Sequence, residues 1–149
     1  MKAYLTAIFL TFVSSASLAN EKCQTTIESN DAMSFNKSEI KVPASCDTFT
    51  VTLKHTGSLP ANVMGHNWVL ATKAQAQTVA SDGWSEGLDN NYLKNNDERV
   101  IAATKIIGGG ETTSTQISVA ELNKTEDYQF FCSFPGHYAM MQGSLKIVN

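Results

Sequence analysis

The chain has 149 residues, 42% of them hydrophobic and 17% charged, with a formal net charge of −3. That length suits one domain with a full core. The acidic residues are scattered and no basic stripe is present, which argues against a nucleic-acid footprint or an anionic-membrane surface.

Residues 1–19 read as a cleaved export signal: Lys2 supplies a positive start, Ala3 to Val13 an apolar core, and Ser17 and Ala19 a small-residue cleavage site. The apolar run is too short to span a bilayer. The expected mature domain is 20–149, with ten basic against fourteen acidic residues and a net charge of −4. Its short β-type runs come in sequence at Ser38–Val42, Phe49–Leu53, Arg99–Ala103, Ser114–Val119, Tyr128–Phe131 and Gly143–Val148. Turn signals stand between them at Gly57-Ser58-Leu59-Pro60, Gly108-Gly109-Gly110 and Asn123-Lys124-Thr125. Many short strands so punctuated predict an all-β chain, built as an antiparallel sandwich or barrel. Thr72 to Leu88 departs from that pattern. Its Ala74, Gln75, Ala76, Gln77 and Val79 favour helix, so one helical insertion is expected at about 72–88, with Asp82-Gly83 and Gly87 bounding or interrupting it.

The chemistry concentrates near the C-terminus. Cys132, His137 and Met141 stand as C-x4-H-x3-M, and a second imidazole, His66, lies in Met64-Gly65-His66-Asn67-Trp68. Two imidazoles, one thiolate and one thioether suit copper, and a His2Cys set with a weak Met is the pattern of an electron-transfer site. Cys132 follows a strand and Met141 precedes one, so the Pro135-Gly136 segment is a loop pinned at both ends. Met140 is a rival thioether donor. Export implies an oxidising compartment. There Cys23 and Cys46, both near the start of the domain, are expected to pair, leaving Cys132 for the metal. Asn67 is placed to fix the loop, the Phe134 N–H can donate to the thiolate, and Pro135 has no N–H to add. His55 ends the Phe49–Leu53 run and reads as structural.

Val63-Met64-Gly65-His66-Asn67-Trp68-Val69-Leu70 and Phe130-Phe131-Cys132-Ser133-Phe134-Pro135-Gly136-His137 resemble the azurin family of blue copper proteins. The resemblance runs from Cys23 to the last strand. Plastocyanin-type loops place the histidine closer to the cysteine. The resemblance implies a Greek-key β-sandwich of the cupredoxin type, with 72–88 as its helical flap. It implies one type 1 copper ion, with His66, Cys132 and His137 as equatorial ligands, Met141 rather than Met140 as axial donor, and the Gly65 carbonyl as a second weak donor. Cys23–Cys46 matches the family disulfide. A monomeric periplasmic carrier is implied, exchanging electrons with c-type cytochromes, reductases or oxidases. The His137 edge would surface in an apolar patch drawn from Met33, Met64, Trp84, Phe134, Ala139 and Met140. Trp84 and Tyr138 are bulkier than expected there; either they lie on the patch or they pack beside it.

Other chemistries fit less well. A copper enzyme needs an open coordination position and usually more histidine-rich sites, yet only His55 remains once two histidines are spent. Zinc takes a thioether poorly. A Cys132–His137 hydrolase lacks an evident orienting acid or oxyanion donor set.

Overall fold

The computed structural model describes residues 22–149. The expected leader, 1–19, lies outside the described residues. Two sheets face each other. The first contains β1 (Gln24–Asn30), β2 (Ser34–Phe35), β4 (Thr48–His55) and β7 (Thr112–Ser118), in the order β2-β1-β4-β7. The second contains β3 (Glu39–Pro43), β5 (Val69–Thr72), β6 (Ala102–Ala103), β8 (Tyr128–Phe131) and β9 (Gln142–Val148), in the order β3-β9-β8-β5-β6.

Strict antiparallel pairing is not what forms. Strand β1 runs parallel to β4, and β3 runs parallel to β9. The cause is the path of the chain. It crosses from the first sheet to the second and back at β3, so strands that neighbour each other in space are not joined by hairpins. The result is the Greek-key sandwich.

Strand β4 shows why its sequence was readable. Phe49, Val51, Leu53 and His55 alternate inward and are buried. The four residues of β8 are all buried, because the sheet is covered on both faces there. On one side Phe130 joins Trp68, Leu70 and Ile107 in the main core. On the other, Phe131, Val69 and Ala71 meet Ala76, Val79 and Ala80 of a helix, α2 (Lys73–Gly83). A doubly covered strand loses the alternation of a half-buried one, and in β8 three of the four residues are aromatic, with Gln129 the polar exception.

That helix is the expected insertion, but it stops at Gly83. A Cβ there would lie 2.0 Å from the Tyr92 carbonyl oxygen, so the close approach of the 84–93 return requires glycine. Two 3-10 turns follow, Trp84–Glu86 and Leu88–Asn90. The Arg99–Ala103 strand shrinks to β6. Arg99 instead bridges Asp82 and Asp97 at 2.9 and 2.7 Å, tying the return loop to the helix. A one-turn helix, α1 (Ala61–Met64), follows Pro60. The Cys23–Cys46 disulfide forms, between cysteines 23 positions apart in sequence. Closing a loop of that size stabilises the fold by about 3 kcal/mol in the chain-entropy account.

Candidate metal centre

His66 sits between α1 and β5. Its N–H donates to the Ile107 carbonyl at 3.0 Å, and the Ile107 N–H donates back at 2.9 Å. Gly65 lets the chain reach this position. A Cβ on it would lie 2.2 Å from the Ala61 carbonyl oxygen and 2.5 Å from Ile106 Cγ2.

Cys132 follows the last residue of β8, and its N–H donates to the Met141 carbonyl at 3.0 Å. Between them the chain folds tightly. The His137 N–H bonds the Phe134 carbonyl at 3.0 Å, and the Met140 and Met141 N–H groups bond the His137 carbonyl at 3.0 and 2.9 Å. Gly136 takes a left-handed turn at φ +85°, which costs glycine little.

These two segments bring three donors to one point. Cys132 Sγ lies 3.9 Å from His66 Nδ1 and 3.7 Å from His137 Nδ1. The three donor atoms fall within 4.8 Å of one another, and all three residues are buried. Met141 is 0% exposed, whereas Met140 is 68% exposed.

The protonation states favour a soft cation. His66 Nε2 meets the Asn30 carbonyl at 2.9 Å. It must be the protonated nitrogen to donate there, so Nδ1 turns its lone pair toward the sulfur. Burial lowers the His66 pKa from 6.5 to about 4, against the opposing pull of the Asn30 carbonyl. Burial also lowers the pKa of His137. It pushes the Cys132 thiol up to about 12, and the N–H groups of Asn67 and Phe134 only partly offset this. At neutral pH the site therefore holds two neutral imidazoles and a thiol that a bound cation would deprotonate. That donor set fits copper.

A pH effect on the metal-free protein follows. Folded His66 stays neutral down to about pH 4, whereas its unfolded counterpart binds a proton near pH 6.5. Between those values the unfolded state holds more protons, so stability falls as pH drops. The expected loss is on the order of 2–3 kcal/mol across that window. Denaturant midpoints of the metal-free protein measured from pH 7 to pH 4 check it, and the slope shrinks in His66→Gln.

Around the donors lies a buried hydrogen-bond frame. The Asn67 side chain accepts from the Ser133 N–H at 2.9 Å and donates to Ser133 Oγ at 2.8 Å and the Asn91 carbonyl at 3.1 Å. Ser133 Oγ itself donates to the Asn91 carbonyl at 2.9 Å. The sequence pointed to Asn67 but not to Ser133, Asn91 or Asn30. Two of those three act through backbone carbonyls, for which no side-chain type is a signal. His55 stacks on His66 with ring centroids 4.6 Å apart. Its Nδ1 accepts from the Gly57 N–H at 3.0 Å, which leaves Nε2 to donate to the Met64 carbonyl at 2.9 Å. His55 is thus a structural histidine supporting the His66 segment.

The named patch residues differ in exposure. Met33, Met64 and Phe134 are half-buried, and Ala139 is exposed. Phe134 stacks on the His137 ring at 4.6 Å. Trp84 is 45% exposed, and Val63, outside the expected patch, is 54% exposed. The two bulky residues border one groove and differ in burial. Trp84 walls an open groove of about 230 Å3 with Gly136, Tyr138 and Ala139. Tyr138 is half-buried and packs edge-on against Phe131 at 5.4 Å.

A Greek-key sandwich with a buried Cys-His-His cluster has the fold and donor set of the small blue copper electron carriers, a class of electron-transfer proteins and not enzymes. Residues 21–148 match the family described as copper binding proteins, plastocyanin/azurin family, and the chain belongs to that family. It is 56% identical over 128 residues to Azurin-1 of Alcaligenes xylosoxydans xylosoxydans, covering 86% of this chain and 99% of that protein. It is 51% identical over 143 residues to the azurin of Pseudomonas aeruginosa, covering 96% and 97% respectively. Among solved structures, the azurin Az-iso2 of Methylomonas sp. strain J superposes with a TM-score of 0.83 at 50% identity, covering 85% of this chain and 98% of that one. The chain is a type 1 copper protein, and as an electron carrier it works with redox partners.

Proposed function

We propose that His66 and His137, through Nδ1, and Cys132, through Sγ, would hold the copper ion, with Met141 and the Gly65 carbonyl as weaker donors. The convergence of one sulfur and two imidazole nitrogens within 4.8 Å carries this assignment. The burial of Met141, at 0% exposed, supports its place in the set. When bound, copper supplies the one-electron Cu(II)/Cu(I) couple. The protein's part is to hold the donors in one arrangement for both oxidation states and to keep water out. The Ile107 bridge and the Asn30 carbonyl orient His66. The Asn67–Ser133 bonds hold Cys132, and the N–H groups of Asn67 and Phe134 temper the charge on its sulfur.

We further propose that residues 1–19 direct export to the periplasm and that 20–149 works there as a monomer. No helix among the described residues is long and apolar enough to cross a membrane. Electrons would pass through the His137 edge, which is 4% exposed, to c-type cytochromes, reductases or oxidases. Met33, Met64, Trp84, Phe134, Ala139 and Met140 would form the docking patch. A modest apolar patch suits partners that must leave quickly.

Titrating Cu(II) into the metal-free protein at pH 8 tests the assignment. An intense visible absorption grows in step with the release of one proton per copper. The thiol of Cys132 supplies the proton, since both imidazoles are already neutral at that pH. Ascorbate bleaches the colour reversibly. A colourless loaded protein would exclude thiolate ligation to copper.

A further inference from the structure

The loop from Cys132 to Met141 carries three of the four proposed side-chain ligands. Its first turn is tied to the body of the domain: Ser133 bonds Asn67 and Asn91, as described above. The bonds that shape the rest, from His137 to Phe134 and from Met140 and Met141 to His137, close the loop on itself. Tyr138, directly after His137, connects that second half to the sheet. Its hydroxyl accepts from Gln129 Nε2 at 3.0 Å, and its ring packs edge-on against Phe131 of the same strand. Gln129 stands on β8 three residues before Cys132 and is 8% exposed. Its amide nitrogen also donates to Gln142 Oε1 at the start of β9. Gln142 in turn donates to the Ala139 carbonyl at 3.3 Å. One amide thus reaches two acceptors with its two hydrogens, and the three side chains link β8, the 138–139 turn and β9.

We propose that Tyr138, through Gln129 and Gln142, is a positioning residue that clamps His137 and the approach to Met141 onto the sheet. This inference rests on the reading of His137 and Met141 as ligands. The Ser133 anchor fixes the cysteine end of the loop, and the Tyr138 clamp fixes the histidine end. With the middle of the loop held by its own bonds alone, His137 would sample more conformations and release the metal more readily, since supporting hydrogen bonds hold donor orientation.

The test uses Tyr138→Phe, which keeps the ring against Phe131 and removes the hydroxyl, and Gln129→Met, which keeps length and removes the donor. Both variants should stay blue. Tyr138→Phe should lose copper to an excess of chelator about 2–10-fold faster than the parent, the range that follows from losing one such bond, and Gln129→Met, which also gives up the bond to Gln142, at least as fast. In the metal-free protein, backbone order parameters at 137–140 should fall in both variants while those at Asn67 and Ser133 hold. The double variant should be no worse than Gln129→Met alone, because that substitution already removes the link to Tyr138. Parental release rates and order parameters in Tyr138→Phe would overturn the clamp, and so would additive losses in the double variant. A parent that binds copper without colour would instead sink the ligand assignment. The metal-free order parameters would still decide the clamp.

Discussion

Cys132→Ser removes the visible absorption and the electron-carrying activity while leaving the fold in place. The sulfur is fully buried, lies 3.7 and 3.9 Å from the two imidazole nitrogens, and is the free thiol of a chain whose other two cysteines are bridged. A serine hydroxyl is a hard donor that stays protonated, so the variant keeps two imidazoles and loses the thiolate on which the colour depends. The structural cost is small. The replacement is nearly isosteric, and the N–H groups that face the sulfur, on Asn67 and Phe134, can face an oxygen instead. The metal-free variant should unfold within about 1 kcal/mol of the parent. Absorption spectra of the copper-treated variant and denaturant titration of its metal-free form check both halves. A variant that kept the blue colour would place the thiolate elsewhere, and neither disulfide cysteine is free to serve.

Much of this was legible in the chain because the metal centre is written in side chains. Cys132, His137 and Met141 stand in one loop, and no common structural pattern explains three such donors at that spacing. Strands β4 and β8 were legible because burial shaped their composition, as alternation in Phe49–Leu53 and as an aromatic-rich segment in Tyr128–Phe131. Strand β1 was not. Its sequence, Gln24 to Asn30, buries only Ile27 and Ser29, and it holds its place through its backbone ladder to β4. The parallel pairings were equally silent, since they depend on where the chain crosses between sheets. The helix end at Gly83 is set by a carbonyl nine residues later in the chain, which no local propensity encodes. The frame around the metal was half visible for the same reason. Asn67 offers a recognisable side chain, whereas Asn30 and Asn91 contribute carbonyl oxygens that any residue could supply.

Asn67→Leu tests whether that frame holds the fold and the metal loop together. The asparagine is 0% exposed and joins the two segments that carry the proposed ligands, 66 residues apart in sequence. Leucine matches its size but can neither accept the Ser133 N–H nor donate to Ser133 Oγ and the Asn91 carbonyl. The Asn91 carbonyl keeps the bond from Ser133 Oγ, so its loss is partial. The Ser133 N–H, in a fully buried residue, loses the acceptor that held it. A buried donor stripped of its partner costs about 1–3 kcal/mol, and the two forfeited donor bonds of the amide add to that. The expected loss is about 2–4 kcal/mol in the metal-free protein, read from denaturant midpoints. Ser133→Ala should cost less, because it keeps the N–H bond to Asn67 and removes only the hydroxyl. If the asparagine acted merely as filler, leucine would be neutral and the serine variant its equal. The ordering of the two variants, more than either magnitude, therefore separates a hydrogen-bonded crosslink between the ligand segments from simple packing.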